Sequence, residues 1–170
     1  MEFEQGLLYH VDGLLRDEAW GDFIISRIPE SVRCQLNEKA QKNMLFASNS
    51  ELRFVMEEET VTIVLRRLPV SGQIRSAGIL EVFSGDYQGS YEISPGVVGV
   101  GETEITIHRQ DWSHISRFPR NPGGFAPQVT RVLLPYDWGC AIREIRGSLR
   151  PPRPEEMPEK RLLFYGSSIT

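Results

Sequence analysis

The residues best placed to do chemistry stand at the C-terminal end, where Gly166-Ser167-Ser168-Ile169-Thr170 follows the apolar run Leu162-Leu-Phe-Tyr165. A serine hydroxyl in a tight turn just past a strand end can reach a carbonyl carbon, and it becomes a nucleophile once a base takes its proton. No histidine follows Ser168 within these 170 residues. A second group is His108, Asp111 and His114, at three-residue spacing. On one helical face such a set would suit zinc. His108 ends a predicted strand instead, so these histidines are expected in surface or hydrogen-bonding roles and no metal site is expected. A third group is Trp112 and Trp138, which stand in turn-like stretches beside Asp111 and Asp137. An indole face next to a carboxylate suits a sugar ring, with stacking on the apolar face and hydrogen bonds to hydroxyls. Both tryptophans are candidate substrate-binding residues. Cys34 and Cys140 lie far apart with no CxxC pattern, and are expected as free thiols in buried, apolar roles.

The elements that must position these groups are strands. Glu51–Met56 alternates polar and apolar residues, and Thr60–Arg66 does so after the acidic turn Glu57-Glu-Glu59. The pair reads as a hairpin. Gly78–Phe83 and Gly89–Ile93 flank Ser84-Gly-Asp-Tyr87 and read as a second hairpin. Gly101–His108, Gln128–Leu134 and Ala141–Leu149 follow, with earlier strands near Leu7–Tyr9 and Asp22–Ile25. Helical signals are confined to Leu36–Met44, where Asn37 is placed to cap a turn or two. Eight or more short strands that each bury one face predict an all-β, antiparallel β-sandwich of jelly-roll type.

Residues 1–149 are expected to form the sandwich. Residues 150–160, with four prolines and several charges, read as a semi-rigid linker of extended geometry. Leu162–Tyr165 is apolar on both faces, which suits a strand inside a parallel sheet covered by helices. Residues 161–170 therefore read as the first strand and turn of a different, α/β domain.

The block Arg161-Leu-Leu-Phe-Tyr-Gly-Ser-Ser-Ile-Thr170 resembles the first conserved block of the SGNH hydrolases, the GDSL-type esterases, in which a strand leads into Gly-Asp-Ser-(Leu/Ile)-Thr. Ser168 falls on the nucleophile and Gly166 on the block glycine, while Ser167 replaces the usual aspartate. A carbohydrate-esterase-like subset of that family carries an N-terminal β-sandwich. Arg131-Val-Leu-Leu-Pro-Tyr136, the strand at Ala141–Leu149 and the Pro-rich stretch before the serine block are similar to the junction in those proteins, and Val82–Tyr91 is similar to one of their hairpins. The resemblance implies ester hydrolysis or acyl transfer, with acetyl esters of carbohydrates as one substrate class. It implies no cofactor. It also implies that the oxyanion donors and the Asp-x-x-His block lie in a C-terminal catalytic domain beyond Thr170, so that residues 1–170 alone are expected to be inactive. The sandwich would then be an accessory domain that packs on that catalytic domain. A stand-alone carbohydrate-binding module and a structural or homo-oligomerisation domain are the alternatives.

Net charge is −4, which argues against a nucleic-acid footprint. No apolar run approaches the roughly 20 residues of a membrane helix. The first residues lack the basic and apolar regions of a signal peptide, so a cytoplasmic location is expected.

Overall fold

The computed structural model describes residues 1–68, 77–89, 96–111, 113, 117, 122–136 and 138–160. Two antiparallel sheets face one another. The larger runs β1 (Glu2–Phe3), β2 (Gly6–Tyr9), β5 (Glu51–Met56), β11 (Val129–Leu133), β7 (Gly78–Ser84) and β8 (Tyr87–Gln88), while β13 (Leu149–Arg150) joins β5 and β9 (Gly96–Val98) joins β7. β2 and β13 share one edge of β5 end to end, because β2 pairs Glu51, Leu52 and Arg53 while β13 pairs Val55 and Met56. The smaller sheet runs β10 (Glu102–His108), β6 (Thr60–Arg67), β12 (Cys140–Arg146), β4 (Phe23–Ser26) and β3 (Gly13–Arg16). The sandwich expected from the strand count is the fold observed.

Period-two alternation fills the space between the sheets. Leu8, Leu52, Phe54, Met56, Leu80, Val82 and Val132 point inward from one sheet, and Ile25, Val61, Ile63, Leu65, Ile107 and Ile142 from the other, all of them buried. From β5 onward the chain crosses between the sheets at each main strand, the connection pattern of a jelly roll. This corrects the first hairpin expectation. β5 and β6 do not pair: β5 lies in the larger sheet and β6 in the smaller. Two amphipathic strands joined by a short acidic turn carry the same local pattern whether they pair or arch over a shared core. A hairpin does form around Gly85 and Asp86, with Phe83 opposite Gln88 and Ser84 opposite Tyr87, so its second strand is Tyr87–Gln88; of the expected strand Gly89–Ile93, residues 90–93 lie outside the described residues.

In β12 the pairing with β6 shifts between Ile142 and Glu144, so Arg143 is an extra residue. This bulge leaves both Arg143 and Glu144 facing solvent, where Arg143 pairs with Glu102 of β10. Gly147 turns the chain from β12 to β13 at φ 117°, and a Cβ there would stand 2.7 Å from the Thr60 carbonyl oxygen. The short helices α1 (Glu30–Arg33) and α2 (Glu38–Asn43) bridge β4 to β5. Asn37 caps α2 as expected, its side chain accepting from the Ala40 N–H at 2.9 Å.

Residues 150–160 depart from the expected linker. Arg150 belongs to β13, and Pro154–Glu156 form a 3-10 turn folded back on the sandwich. Glu156 is the anchor, only 6% exposed. Its carboxylate accepts from Arg150 at 2.7 and 2.8 Å, from the Arg153 N–H at 2.7 Å and from Gln128 at 3.2 Å, while its carbonyl accepts from the Ala126 N–H. Proline content shows that such a segment is not helical, but it says nothing about tertiary anchoring. Hydrogen bonds from Arg150 hold the Glu156 carboxyl at about 2, against 4.5 ordinarily. A depressed carboxyl adds stability above the unfolded-state pKa and loses it as pH falls through the folded one. Glu156→Gln is expected to cost about 2–3 kcal/mol at neutral pH. The gap to wild type should close between pH 4.5 and 2. Urea unfolding across that range checks this, and a gap independent of pH would contradict it.

Candidate functional site

Ser168, with Gly166 and Ser167, lies outside the described residues, as do Trp112, His114 and Asp137. Trp138 is described, and its placement corrects the expectation of a stacking platform. The ring is fully buried in the main core, under the Arg67 guanidinium at 3.2 Å from its centre. A sugar cannot reach either face from solvent. Its Nε1–H has no acceptor among the described residues. The chain brings Trp138 inside because Ala47 N–H binds the Trp138 carbonyl and Phe46 bridges Gly139, tying this loop to the approach of β5. His108 ends β10 and is exposed, and the Asp111 carboxylate accepts from the Ser113 N–H in the following turn. Both thiols are free. Cys140 is buried, which pushes its thiol up to about 12. Cys34 is exposed instead of buried, at the C-cap of short α1, where a hydrogen bond to Glu30 raises its pKa.

Two features that the residue pattern did not single out emerge on the larger sheet. The first is on its outer face. All six residues of β5 are buried, although Glu51, Arg53 and Val55 point away from the core. Register places Arg53 directly opposite Arg131, a repulsive pair if left alone. Glu51 lies between them, accepting from Arg53 at 3.0 Å through both oxygens and from Arg131 at 2.5 Å. Burial pushes the Glu51 carboxyl up, but the hydrogen bonds from the two arginines outweigh it and leave it below the usual range. Aromatic faces line the guanidinium groups: Tyr9 and Phe125 at Arg53, Phe83 and Phe125 at Arg131. Phe125 and Ala126 cover Val55 and Val129 beside them. An open cleft of about 760 Å³ runs between this cover and the Glu156 anchor, lined by Gly124, Phe125, Pro154, Met157 and Glu159 among others. It adjoins the segment that leads into residue 161.

The second feature is a polar cleft of about 650 Å³ at one end of the sandwich, where the turn after β2 meets the end of β4 and the start of β5. His10, Asp12, Arg27, Ser48, Asn49 and Glu51 supply its polar lining. His10 and Asn49 both adopt left-handed backbone, φ 55° and 59°, and the His10 Nδ1 lies 3.0 Å from the Asn49 carbonyl. The Ser48 hydroxyl donates to the Tyr136 carbonyl. Arg27 is half-buried. Its Nε has no partner among the described residues, and its Nη2 donates to the Asn43 carbonyl at a long 3.5 Å. The residues come from three separated segments, so no spacing rule could have grouped them.

No protein-family model matches the sequence, and no curated protein sequence does. The fold is similar to that of salicylyl-acyltransferase SsfX3 from a tetracycline biosynthetic pathway, with a TM-score of 0.62 at 12% identity. The match covers 87% of this chain and 39% of that protein, so this chain spans well under half of its length. At that identity the likeness is one of fold. Among the described residues no helix is long and apolar enough to cross a membrane.

Proposed function

We propose that this chain is the accessory β-sandwich of an SGNH-type serine esterase or acyltransferase, with Ser168 as the nucleophile of an adjoining catalytic domain. One observation carries the reading: a β-sandwich runs directly into the block Arg161–Thr170. Its fold likeness to part of a larger acyltransferase supports the same arrangement. In this chemistry the Ser168 Oγ attacks an ester carbonyl and expels the alcohol, a histidine base takes the serine proton and returns it to the leaving oxygen, and the acyl group stays on Oγ until water or a second alcohol removes it. Backbone and side-chain N–H donors stabilise the oxyanion between those steps. The base and the remaining donors would come from segments beyond residue 170. The sandwich's part is positional. Because Glu156 pins the chain a few residues before the serine block, the two domains would be held in one orientation rather than tethered loosely. The cleft between Phe125 and Met157 is the surface nearest that junction.

The test joins a gene-level and a chemical measurement. The coding sequence past Thr170 is expected to continue with an Asn-containing block and a late Asp-x-x-His. A fluorophosphonate probe is expected to label the full product at Ser168 and to lose that label in Ser168→Ala. A stop codon directly after Thr170, or labelling that survives the substitution, overturns the reading. The 170-residue chain itself should hydrolyse p-nitrophenyl acetate no faster than buffer.

A further inference from the structure

The polar cleft at the end of the sandwich is built around a cation without a counter-ion. Arg27 is half-buried, and among the described residues no carboxylate lies within ion-pair distance of it. Burial alone pulls its pKa down. A half-buried guanidinium without a counter-ion is costly, and because its Nε is buried away from solvent, an anion in the cleft would meet it through the Nη groups. Around it stand groups suited to hydroxyls: the side chains of Asp12 and Asn49, both exposed, and the hydroxyl oxygen of Ser48. Two adjacent residues held in left-handed backbone, His10 and Asn49, form the rim, and strained backbone of this kind gathers where a ligand is gripped.

Charge and size narrow the ligand. Glu51 shares the lining but is already held by Arg53 and Arg131, so that trio carries a net positive charge and does not repel an anion. Arg27 is the one arginine or lysine among the residues lining the cleft, and Asp12 shares that lining as an acid. One guanidinium without a counter-ion, in a cleft that also holds a carboxylate, favours a monoanion over a phosphate dianion. The planar fork of Arg matches a carboxylate through paired N–H bonds. The cleft is open, and its volume of about 650 Å³ has room for a sugar-sized molecule. We propose that this cleft binds a hydroxylated carboxylate of sugar size, a uronic acid, with its carboxylate on Arg27 and its hydroxyls on Asp12, Asn49 and Ser48. The site rests on the sandwich alone and is independent of the role given to Ser168.

Titration of the 170-residue chain with glucuronate, glucose and acetate, followed by amide chemical shifts, tests it. Glucuronate is expected to shift His10, Asp12 and Asn49 saturably, with glucose and acetate each at least about tenfold weaker. Arg27→Gln should weaken glucuronate by about tenfold or more, whereas Arg143→Gln, which pairs with Glu102 outside the cleft lining, should leave it unchanged. Wild-type shifts decide the matter even if Arg27→Gln fails to fold. No saturable shift up to about 50 mM glucuronate overturns the proposal. Glucose binding as tightly as glucuronate does so too, since the carboxylate would then not be read. Acetate binding as tightly overturns it by reducing the cleft to a simple anion site.

Discussion

Arg66→Met is expected to lower stability by about 3–5 kcal/mol, because it leaves an acid buried without its partner. Arg66 sits on the outward face of β6 and is itself buried. The loop between β3 and β4 folds over it. Arg66 donates from Nε to Asp22, which is 1% exposed, and from Nη2 to Asp17 at 2.6 Å, while the Trp20 ring lies 5.1 Å from the guanidinium centre. Burial works against the Arg66 charge, yet hydrogen bonds to Asp22 and Asp17 outweigh it and raise its pKa. Methionine keeps the bulk of the stem and removes the charge and donors, so the loss is electrostatic rather than a packing defect. The same reasoning sets the compensating variant. Arg66→Met combined with Asp22→Asn removes both buried charges and should recover more than half of the deficit, since an ion pair replaced as a unit is often close to neutral. Urea unfolding with an unchanged slope reads both numbers. A single variant within about 1 kcal/mol of wild type would show that the loop, not the pair, holds the site.

Trp138→Ala is expected to cost a similar amount, about 3–5 kcal/mol, through the cavity it leaves. The ring is the largest of the fully buried side chains and closes one end of the core. Its surroundings are fitted to it. A Cβ on Gly78 would come within 3.1 Å of the ring and 2.9 Å of Pro135 Cβ, so β7 approaches only because Gly78 has no side chain. Trp138→Phe should be far milder, about 1–2 kcal/mol. The indole Nε1–H is buried with no acceptor among the described residues, so its removal offsets part of the lost volume. Thermal unfolding of the two variants should separate them clearly. Equal losses would mean that Nε1–H is satisfied in solution. Any fall in sugar affinity in Trp138→Ala would reflect the core and not a lost contact, since neither ring face reaches solvent.

Much of this sandwich was legible in its residues, and the failures have specific causes. Alternation along Glu51–Met56 and Thr60–Arg66 located both strands and their inward faces. It could not say whether they pair, because a hairpin and an arch between sheets bury the same residues. Asn37 announced its helix, since a cap is a contact between residues three apart. Glu156 did not announce its anchor, since Arg150, Gln128 and Ala126 reach it through the fold. Trp138 beside an aspartate in a turn looked like a surface residue. Its burial follows from the bridge between Phe46 and Gly139, 93 residues apart in number and invisible to local pattern.

What the sequence by itself determined is whatever a short window of residues controls: the all-β class, the inward face of each strand, the cap at Asn37 and the serine block from Gly166 to Thr170. Tertiary structure alone decided which strands pair, that Glu51 mediates between Arg53 and Arg131, and that Arg27, Asp12, Ser48 and Asn49 share one cleft. The physical reason is one of range. Side-chain alternation and capping act between near neighbours, whereas a charge finds its partner, or goes without one, only where distant segments have been packed against each other.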